Sequence, residues 1–501
     1  PEERYNVSFM THYTFSDQVT FYGDAHYKSH KSSFFLAPTP AELKFFDFDF
    51  ARNPFITDAT KDLFAASYDT GAGLDKQAGD GIATFSKVRR RTLENGARFN
   101  DNEFTTLQLV LGFRGDLTDN WNYDTYLNYG DTNWDETISG DASDRRMRNG
   151  LNAALDETGT PRCISQLNPD GTYNPFADSS CVPGSIWGEG SMSDEFVDYV
   201  TANTTRKRER EQWTAAFGVT GTLWELPAGE LGVAFGYEHR EEKAQDNPDS
   251  AVVAGDVLGF NAAGPTSSSS YDVDELYVEA LVPLLSGIPF ANYLGLEVGY
   301  RYSDYSTIGS TNTYKYGGEW APTQSLRFRA MFQRAVRAPN LEDLYNGFIQ
   351  SNPFFTDPCN SDTASPDLQA FCVQTGIPAE LISAYTQSDT QFEEIRRANP
   401  DLSEETSDTY TVGFVWEPEF LQGLALTVDY YDIEIEDAIS VLGGDAATLL
   451  DNCYAGRDLN STACQAVSRN PATGDVNIVN TSFANLSQFN AKGVDFTAQY
   501  Q

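Results

Sequence analysis

Acidic and basic side chains recur at alternate positions through one stretch of the sequence, residues 231–333. The set consists of Glu238, Arg240, Glu275, Glu279, Glu297, Arg301, Lys315, Glu319, Arg327 and Arg329. Alternate residues of a β-strand share one face, and opposite residues on neighbouring strands lie about 4.5–5.5 Å apart. The pattern therefore predicts a surface of closely spaced acids and bases. Such a surface is either a hydrated wall of ion pairs, each stabilising little, or a docking surface for a polar body inside a bore.

Six cysteines fall into three local pairs, in polar segments between the strand-like runs. Nearest-neighbour pairing joins Cys163 to Cys181, Cys359 to Cys372 and Cys453 to Cys464. Short disulfide-closed loops are typical of exported proteins, whereas a zinc site needs close Cys-x-x-Cys or Cys/His spacing, which is missing. The cysteines predict three disulfides and an oxidising compartment.

Signals for other metal sites or for catalysis are weak. His26 and His30 share a face with Asp24, but residues four apart in a strand are about 13 Å apart, too far for joint chelation. The acidic stretch 131–144 lacks the regular ligand spacing of a calcium loop. No nucleophile elbow, phosphate loop or zinc-protease motif occurs. The sequence predicts no cofactor, no metal centre and no enzymatic activity.

Aromatic and amide side chains in the polar connections are candidates for ligand binding. These are Trp134, Trp187, Asn340, Tyr345, Phe354 and Phe355. Aromatic rings stack on sugars, on other rings and on cations. The alternative role for the rings is packing within the connections themselves.

The elements that must position these residues are strands. About thirteen segments alternate between apolar and polar residues, among them 107–113, 213–219 and 294–300. Most are near 10 residues long, the length with which a tilted strand crosses a bilayer. No apolar run reaches the roughly 18 residues that a spanning helix needs.

The connections between these segments alternate in length. Short ones lie at 16–17, 115–120, 224–230, 322–324 and 418–423, and long ones at 32–102, 133–205, 241–270, 336–405 and 437–489. An antiparallel meander sends every second connection to the same end. The expected fold is all-β, a transmembrane antiparallel β-barrel with long extracellular loops, because a soluble β-sandwich would mix loop lengths at both ends. Short helices are expected in the loops at 193–202, 379–397 and 445–454.

The net charge is −39, from 73 acidic and 34 basic residues. Such an acidic surface repels phosphate backbones. No nucleic-acid partner is therefore expected.

Several segments resemble TonB-dependent outer-membrane receptors, and the strongest resemblance is FQRAVRAPNLEDLY at residues 332–345. Residues 272–279 (DVDELYVE), 299–306 (GYRYSDYS) and 490–495 (NAKGVD) are similar to segments of the same family. The long Cys-paired loops resemble a large proteobacterial subgroup. The family implies a barrel of about 22 strands around an N-terminal plug, energised by the TonB–ExbB–ExbD complex.

Against that family, residues 1–501 are expected to be a partial barrel domain without the plug and the terminal strands. In the family, lumenal acids contact plug arginines, so the resemblance implies this role for Glu275 and Glu279 and a plug-facing position for the charged set. The expected function is energised uptake of a scarce solute (a siderophore, vitamin, glycan or peptide) across the bacterial outer membrane, beside lipopolysaccharide. A passive porin, an adhesive barrel whose loops bind a partner and a secreted β-rich lectin or hydrolase are the alternatives.

Overall fold

The computed structural model describes residues 2–71, 74–75, 77–259 and 262–500. In these ranges the strands are β1 (Glu2–Ser16), β2 (Val19–Leu36), β3 (Pro40–Asp49), β4 (Ile82–Arg91), β5 (Arg98–Thr118), β6 (Trp121–Ala142), β7 (Ala153–Leu155), β8 (Pro161–Cys163), β9 (Thr201–Leu226), β10 (Gly229–Pro248), β11 (Thr266–Ile288), β12 (Ala291–Tyr305), β13 (Gly309–Thr323), β14 (Leu326–Arg337), β15 (Ile349–Ser351), β16 (Glu393–Arg397), β17 (Glu405–Trp416), β18 (Leu424–Val441), β19 (Val467–Arg469) and β20 (Val476–Tyr500).

The helices all lie in the connections. They are α1 (Asp58–Tyr68), α2 (Asp144–Leu151), α3 (Asp194–Val200), α4 (Ser250–Val253), α5 (Leu341–Tyr345), α6 (Pro366–Gln374), α7 (Ala446–Gly456) and α8 (Thr462–Gln465). Ser143, Ser193 and Ser365 cap the first turns of α2, α3 and α6, because each side chain accepts a hydrogen bond from a backbone N–H that has no partner inside the helix.

Thirteen long strands form one antiparallel meander in the order β1, β2, β5, β6, β9–β14, β17, β18 and β20. The predicted all-β fold is confirmed, and the connections alternate between short and long except at residues 306–308, where the β12–β13 connection on the long side has only three residues. The strands are longer than the expected ten residues, up to 26 in β9, because polar residues beyond the apolar stretches also pair. Arg206 opposite Pro248 is one such pair.

Cross-strand register separates two faces of this sheet. Leu127, Phe217 and Val298 point to one face, where they are exposed. Exposed apolar side chains on one face and polar side chains on the other are the arrangement of a barrel wall that faces lipid outside and water inside. Among the described residues, no helix is long and apolar enough to span a membrane.

The long loops gather at one end of the sheet into two groups with separate hydrophobic cores. The first loop lobe, residues 37–97, 143–200 and 249–259, packs Phe46, Phe48 and Phe196 into its core. The second loop lobe, residues 338–404 and 442–475, has a core that includes Leu450 and Phe371. Each lobe therefore has its own hydrophobic core outside the sheet.

The disulfides are the predicted ones. Cys163–Cys181 lies in the first loop lobe, and Cys359–Cys372 and Cys453–Cys464 lie in the second. Local cross-links stabilise the loops because they restrict the unfolded chain.

Two of the three predicted loop helices are present, as α3 and α7. The helix expected at 379–397 is wrong. Its first part is irregular apart from one 3-10 turn, and its last part is strand β16, which pairs with β15 and lies parallel to β20. Pairing with two strands that are distant in sequence outweighs the weak helix propensity of this segment.

Candidate functional site

The ten charged residues of the sequence pattern share one face of the sheet. Glu238 lies opposite Glu275, Gly299 opposite Lys315 and Glu319 opposite Arg329, with the others in the same alternation. Because the opposite face carries the exposed apolar side chains, this charged wall faces the interior of the barrel.

Most of the wall charges pair with each other. Lys315 Nζ lies 2.6 Å from Glu297 and 3.2 Å from Glu279. Arg301 lies 3.0 Å from Glu275, which also accepts a hydrogen bond from Ser303. The wall is therefore a network of local clusters across strands β11–β13.

The remaining wall charges extend the network in both directions. Arg327 pairs with Glu319 at 2.6 Å, and Arg240 pairs with Glu242 at 3.3 Å. Arg329 binds Asp429 of β18 through two hydrogen bonds of 2.8 and 2.5 Å. Sequence reasoning missed Asp429, although its alternation within β18 marks it. Within the described residues Glu238 has no ion-pair partner.

A short stretch of the second loop lobe lies against this wall. Leu341 at the start of α5 packs on Tyr271 and Val273 of β11, and Glu342 forms an ion pair with Arg210 of β9. Because the stretch leaves β14 at Arg337, it crosses the lumenal side of the intervening strands. We call residues 338–347 the inner segment. A cavity of about 360 Å³ lies between it and the wall of β6, β9 and β10.

The larger cavity, which we call the outer cleft, has a volume of about 720 Å³ and lies between the two loop lobes. The β3–β4 hairpin and α2 line it from the first lobe, and residues 348–352, 388–395 and 470–477 line it from the second. Its volume is within the 300–1,000 Å³ of typical small-molecule sites.

Charged side chains of the two lobes meet at the outer cleft. Lys44 Nζ lies 3.1 Å from Glu393, Lys87 Nζ lies 2.7 Å from Asp389, and Arg89 also pairs with Asp389. Burial alone would raise the pKa of the Asp389 carboxyl, but the hydrogen bonds from Lys87 and Arg89 outweigh it and hold this pKa below its ordinary value of 3.8. Asp389 is therefore a carboxylate at neutral pH.

Phe45 presents an aromatic ring to the same cleft through an irregularity of β3. Lys44 pairs with Lys87 and Phe46 with Phe85, so one residue of each strand, Phe45 and Ser86, lies between the two pairs and the irregularity is the backbone conformation of Phe45. Its φ of 50° is in the left-handed region, which costs a non-glycine residue about 1–2 kcal/mol. The ring is half exposed and lines the cleft. Strain of this kind is retained where the surrounding structure enforces it, often at binding sites.

The predicted ligand-binding residues are not gathered in one place. Trp134 lies on the lumenal face of β6, stacked between Phe104 and Arg208. Trp187 packs against Phe48, Phe64 and Phe85 inside the first loop lobe.

The other four candidates belong to the second loop lobe. Asn340 caps α5 and accepts hydrogen bonds from the backbone of Glu342 and Asp343. Tyr345 is partly exposed in the same helix, Phe354 is exposed on the surface, and Phe355 packs on Phe392. Asn340 and Phe355 therefore have structural roles in the lobe.

Sequence reasoning missed the pairing of the five residues that join the lobes across the cleft. The basic run Arg89–Arg91 is visible in the sequence, but its acidic partner Asp389 lies 300 residues further along the chain. Nothing local marks such a pair.

Metal ligation finds no support in the part of the chain that the structure describes. No group of three potential ligand side chains occurs there. His26 lies 2.9 Å from the Ser8 hydroxyl and His30 lies 2.8 Å from Glu2.

The second loop lobe contains a fully buried ion pair. Arg469 donates hydrogen bonds of 2.7 and 2.8 Å to the carboxylate of Asp357, and neither side chain is exposed. The hydroxyl of Tyr385 donates to the same carboxylate at 2.7 Å, and that of Tyr454 accepts from Arg469 at 2.8 Å. This network ties loop 338–404 to loop 442–475.

Comparison with protein families finds one match, the family described as "TonB dependent receptor-like, beta-barrel", over residues 39–501. Comparison with curated proteins finds no match. Among solved structures, a variant of the ferric enterobactin receptor of Pseudomonas aeruginosa is 14% identical, with a TM-score of 0.50, over 99% of this chain and 49% of that receptor. The siderophore receptor PirA of Acinetobacter baumannii is 13% identical, with a TM-score of 0.46, over 99% and 50%. The chain thus spans about half the length of these receptors, and the first similarity shows the fold alone.

Proposed function

Since the chain belongs to the TonB-dependent receptor-like β-barrel family, whose members are outer-membrane transporters rather than enzymes, we propose that it captures a scarce solute at the cell surface for energised uptake. The solute is of the class for which such transport is worthwhile, a siderophore, vitamin, glycan or peptide that is too large or too dilute for diffusion through a porin.

The outer cleft is the observation that carries this proposal. Both loop lobes line it, and it combines an exposed ring at Phe45 with charged groups at Lys44 and Glu393 and amides at Gln350 and Gln391. A concave site with a few convergent polar groups is the usual form of a small-molecule site.

The charged wall supports the second part of the proposal, an energised path through the barrel. Its acids and bases are paired with each other but line the bore, where a plug of the whole protein would exchange some of these pairs for its own arginines. Glu275, Glu279 and the unpaired Glu238 are the acids for this contact. TonB, with ExbB and ExbD, would act on that plug, and lipopolysaccharide would surround the barrel.

Electrical conductance of the whole protein in a planar bilayer tests the proposal without knowledge of the solute. An importer whose bore is filled should show no steady ionic current. A passive porin with a water-filled bore would conduct steadily, and this result would refute energised import.

A second experiment tests the energy requirement. Accumulation of labelled candidates (a ferric siderophore, a cobalamin and an oligosaccharide) is measured in cells with and without functional TonB. The expected result is uptake of one class that is lost without TonB. Uptake that is equal in both strains would point to diffusion.

A further inference from the structure

The exposed face of the β3–β4 hairpin is a basic surface in a strongly acidic protein. Glu42, Lys44, Lys87 and Arg89 lie together on this face, because Glu42 is opposite Arg89 and Lys44 is opposite Lys87. These four residues, with three positive charges and one negative charge, sum to +2, whereas the whole chain carries −39.

Acids from the other loop lobe neutralise this face. Asp389 pairs with Lys87 and Arg89, and Glu393 pairs with Lys44. Their two negative charges bring the sum at the contact from +2 to zero. Glu42 binds Arg89 at 2.5 Å but lies 3.7 Å from both lysines, so it leaves the two lysine charges under-neutralised.

We propose that Lys44, Lys87 and Arg89 form an anion-binding site which Asp389 and Glu393 occupy in this structure, and that a dissolved solute with two or more carboxylate or phosphate groups replaces them. The lobes separate at this contact when the solute enters. The inference rests on the proposed use of the outer cleft for capture, and it adds the charge of the solute and the contact that the solute must break.

Exposure makes these ion pairs exchangeable. The side chain of Arg89 is 48% exposed and that of Lys44 is 34% exposed, so a dissolved anion reaches the bases, while their acids Asp389 and Glu393 are 15% and 19% exposed. The fully buried pair between Arg469 and Asp357 has no such access. A solute anion therefore competes at the first contact without disturbing the second.

The second loop lobe stays attached to the connection before β11 when the ion pairs are broken. Ala262 accepts a backbone hydrogen bond from Gln350, and Gly264 donates one to Phe348. These bonds use no charged side chain. The strand that carries Gln350 can therefore remain in place, with β16 paired to it, while Asp389 moves away from the hairpin and the Glu393 side chain turns away from Lys44.

The test removes the internal acids while keeping their shape. In the purified whole protein, Asp389→Asn with Glu393→Gln should bind citrate at least tenfold more tightly than the unchanged protein, by isothermal titration calorimetry at low salt. The gain should shrink in 0.5 M NaCl, because salt screens exposed charges. Adding Lys44→Gln and Lys87→Gln to the same variant should abolish the gain.

Asp362→Asn with Glu380→Gln is the matched control, since it removes the same two charges from exposed positions of the same lobe. An equal gain in this control, or no gain in the first variant, would overturn the proposal. Neither result would affect the conductance and TonB experiments, which test transport itself.

Two further measurements test the displacement of Asp389 and the source of the anion. Citrate at high concentration should speed hydrogen exchange of residues 386–392 in the unchanged protein, because these residues leave the hairpin, and unaltered exchange at saturating citrate would contradict displacement. Lipopolysaccharide, titrated in place of citrate, tests a membrane source of the anion. If lipopolysaccharide binds and citrate does not, the assignment to a dissolved solute is wrong.

Discussion

Replacing Asp357 by Asn should release much of the second loop lobe while leaving the barrel intact. The carboxylate of Asp357 receives two hydrogen bonds from Arg469 and one from Tyr385, all between fully or almost fully buried groups. The neutral amide leaves the guanidinium of Arg469 buried without a counter-charge. Breaking a buried ion pair in this way costs about 3–5 kcal/mol.

Hydrogen exchange measures this loss of stability separately in the second loop lobe and in the barrel. Amides of α6 and α7 should exchange roughly 100- to 1,000-fold faster, which corresponds to about 3–4 kcal/mol at 1.36 kcal/mol for each tenfold change. Amides of β9 and β10 should keep their protection, because the barrel strands do not depend on this lobe. Asp367→Asn at an exposed position is the control and should change stability by less than about 0.5 kcal/mol.

A double replacement separates the ion pair from general damage to the core. Asp357→Leu with Arg469→Met should cost less than either single change, since apolar side chains need no partner. The reasoning is refuted if Asp357→Asn speeds exchange in α6 and α7 by less than fivefold, or if the double replacement costs as much as the two single costs added together.

Three other changes test neighbouring parts of the structure. Phe45→Gly should leave thermal stability unchanged or raise it by about 1 kcal/mol, because glycine adopts a positive φ without strain, and a clear loss would mean that the ring packs in the lobe. Acid should open the contact at Asp389 only below about pH 4. The pKa of Asp389 is lowered in the folded state, so the stability that Asp389 contributes is complete above the unfolded-state pKa of ~3.9 and is lost as pH falls through the folded-state value. Cleft opening already at pH 6, seen by hydrogen exchange of residues 386–392, would exclude Asp389 as its cause. Trp187→Ala should destabilise the first loop lobe by about 3–5 kcal/mol, measured by exchange in α2 and α3, whereas normal protection there would show that Trp187 is free to bind solute.

The sequence predicts the barrel wall well because the alternation within each strand shows which side chains face the lumen. Alternation in β11 and β12 is enough to place Glu275 and Arg301 on one face. The loops are less predictable, because their structure depends on contacts between distant segments. Residues 379–397 have helical spacing, yet their last part forms β16, and the partners of that strand are about 45 and 85 residues away.

The candidate site also has a part that the sequence predicts and a part that depends on distant contacts. Lumenal charges could be inferred one strand at a time, whereas the outer cleft exists only where loops 37–97 and 338–404 meet. Trp187 illustrates the difficulty, since an aromatic residue in a polar loop is equally compatible with ligand contact and with packing. In the structure it packs against Phe48 and Phe64.

Loop 338–404 connects the outer cleft to the charged wall through a short length of chain. Its inner segment is held on the wall by Leu341 and by the ion pair of Glu342 with Arg210. The next residues, 348–352, line the cleft, and Asp389 lies further along the same loop. A solute that displaces Asp389 therefore acts on a loop whose first residues lie in the bore. The Glu342 side chain is 61% exposed, so its ion pair stabilises little, and in the proposed capture mechanism this loop would link the outer cleft to the lumen.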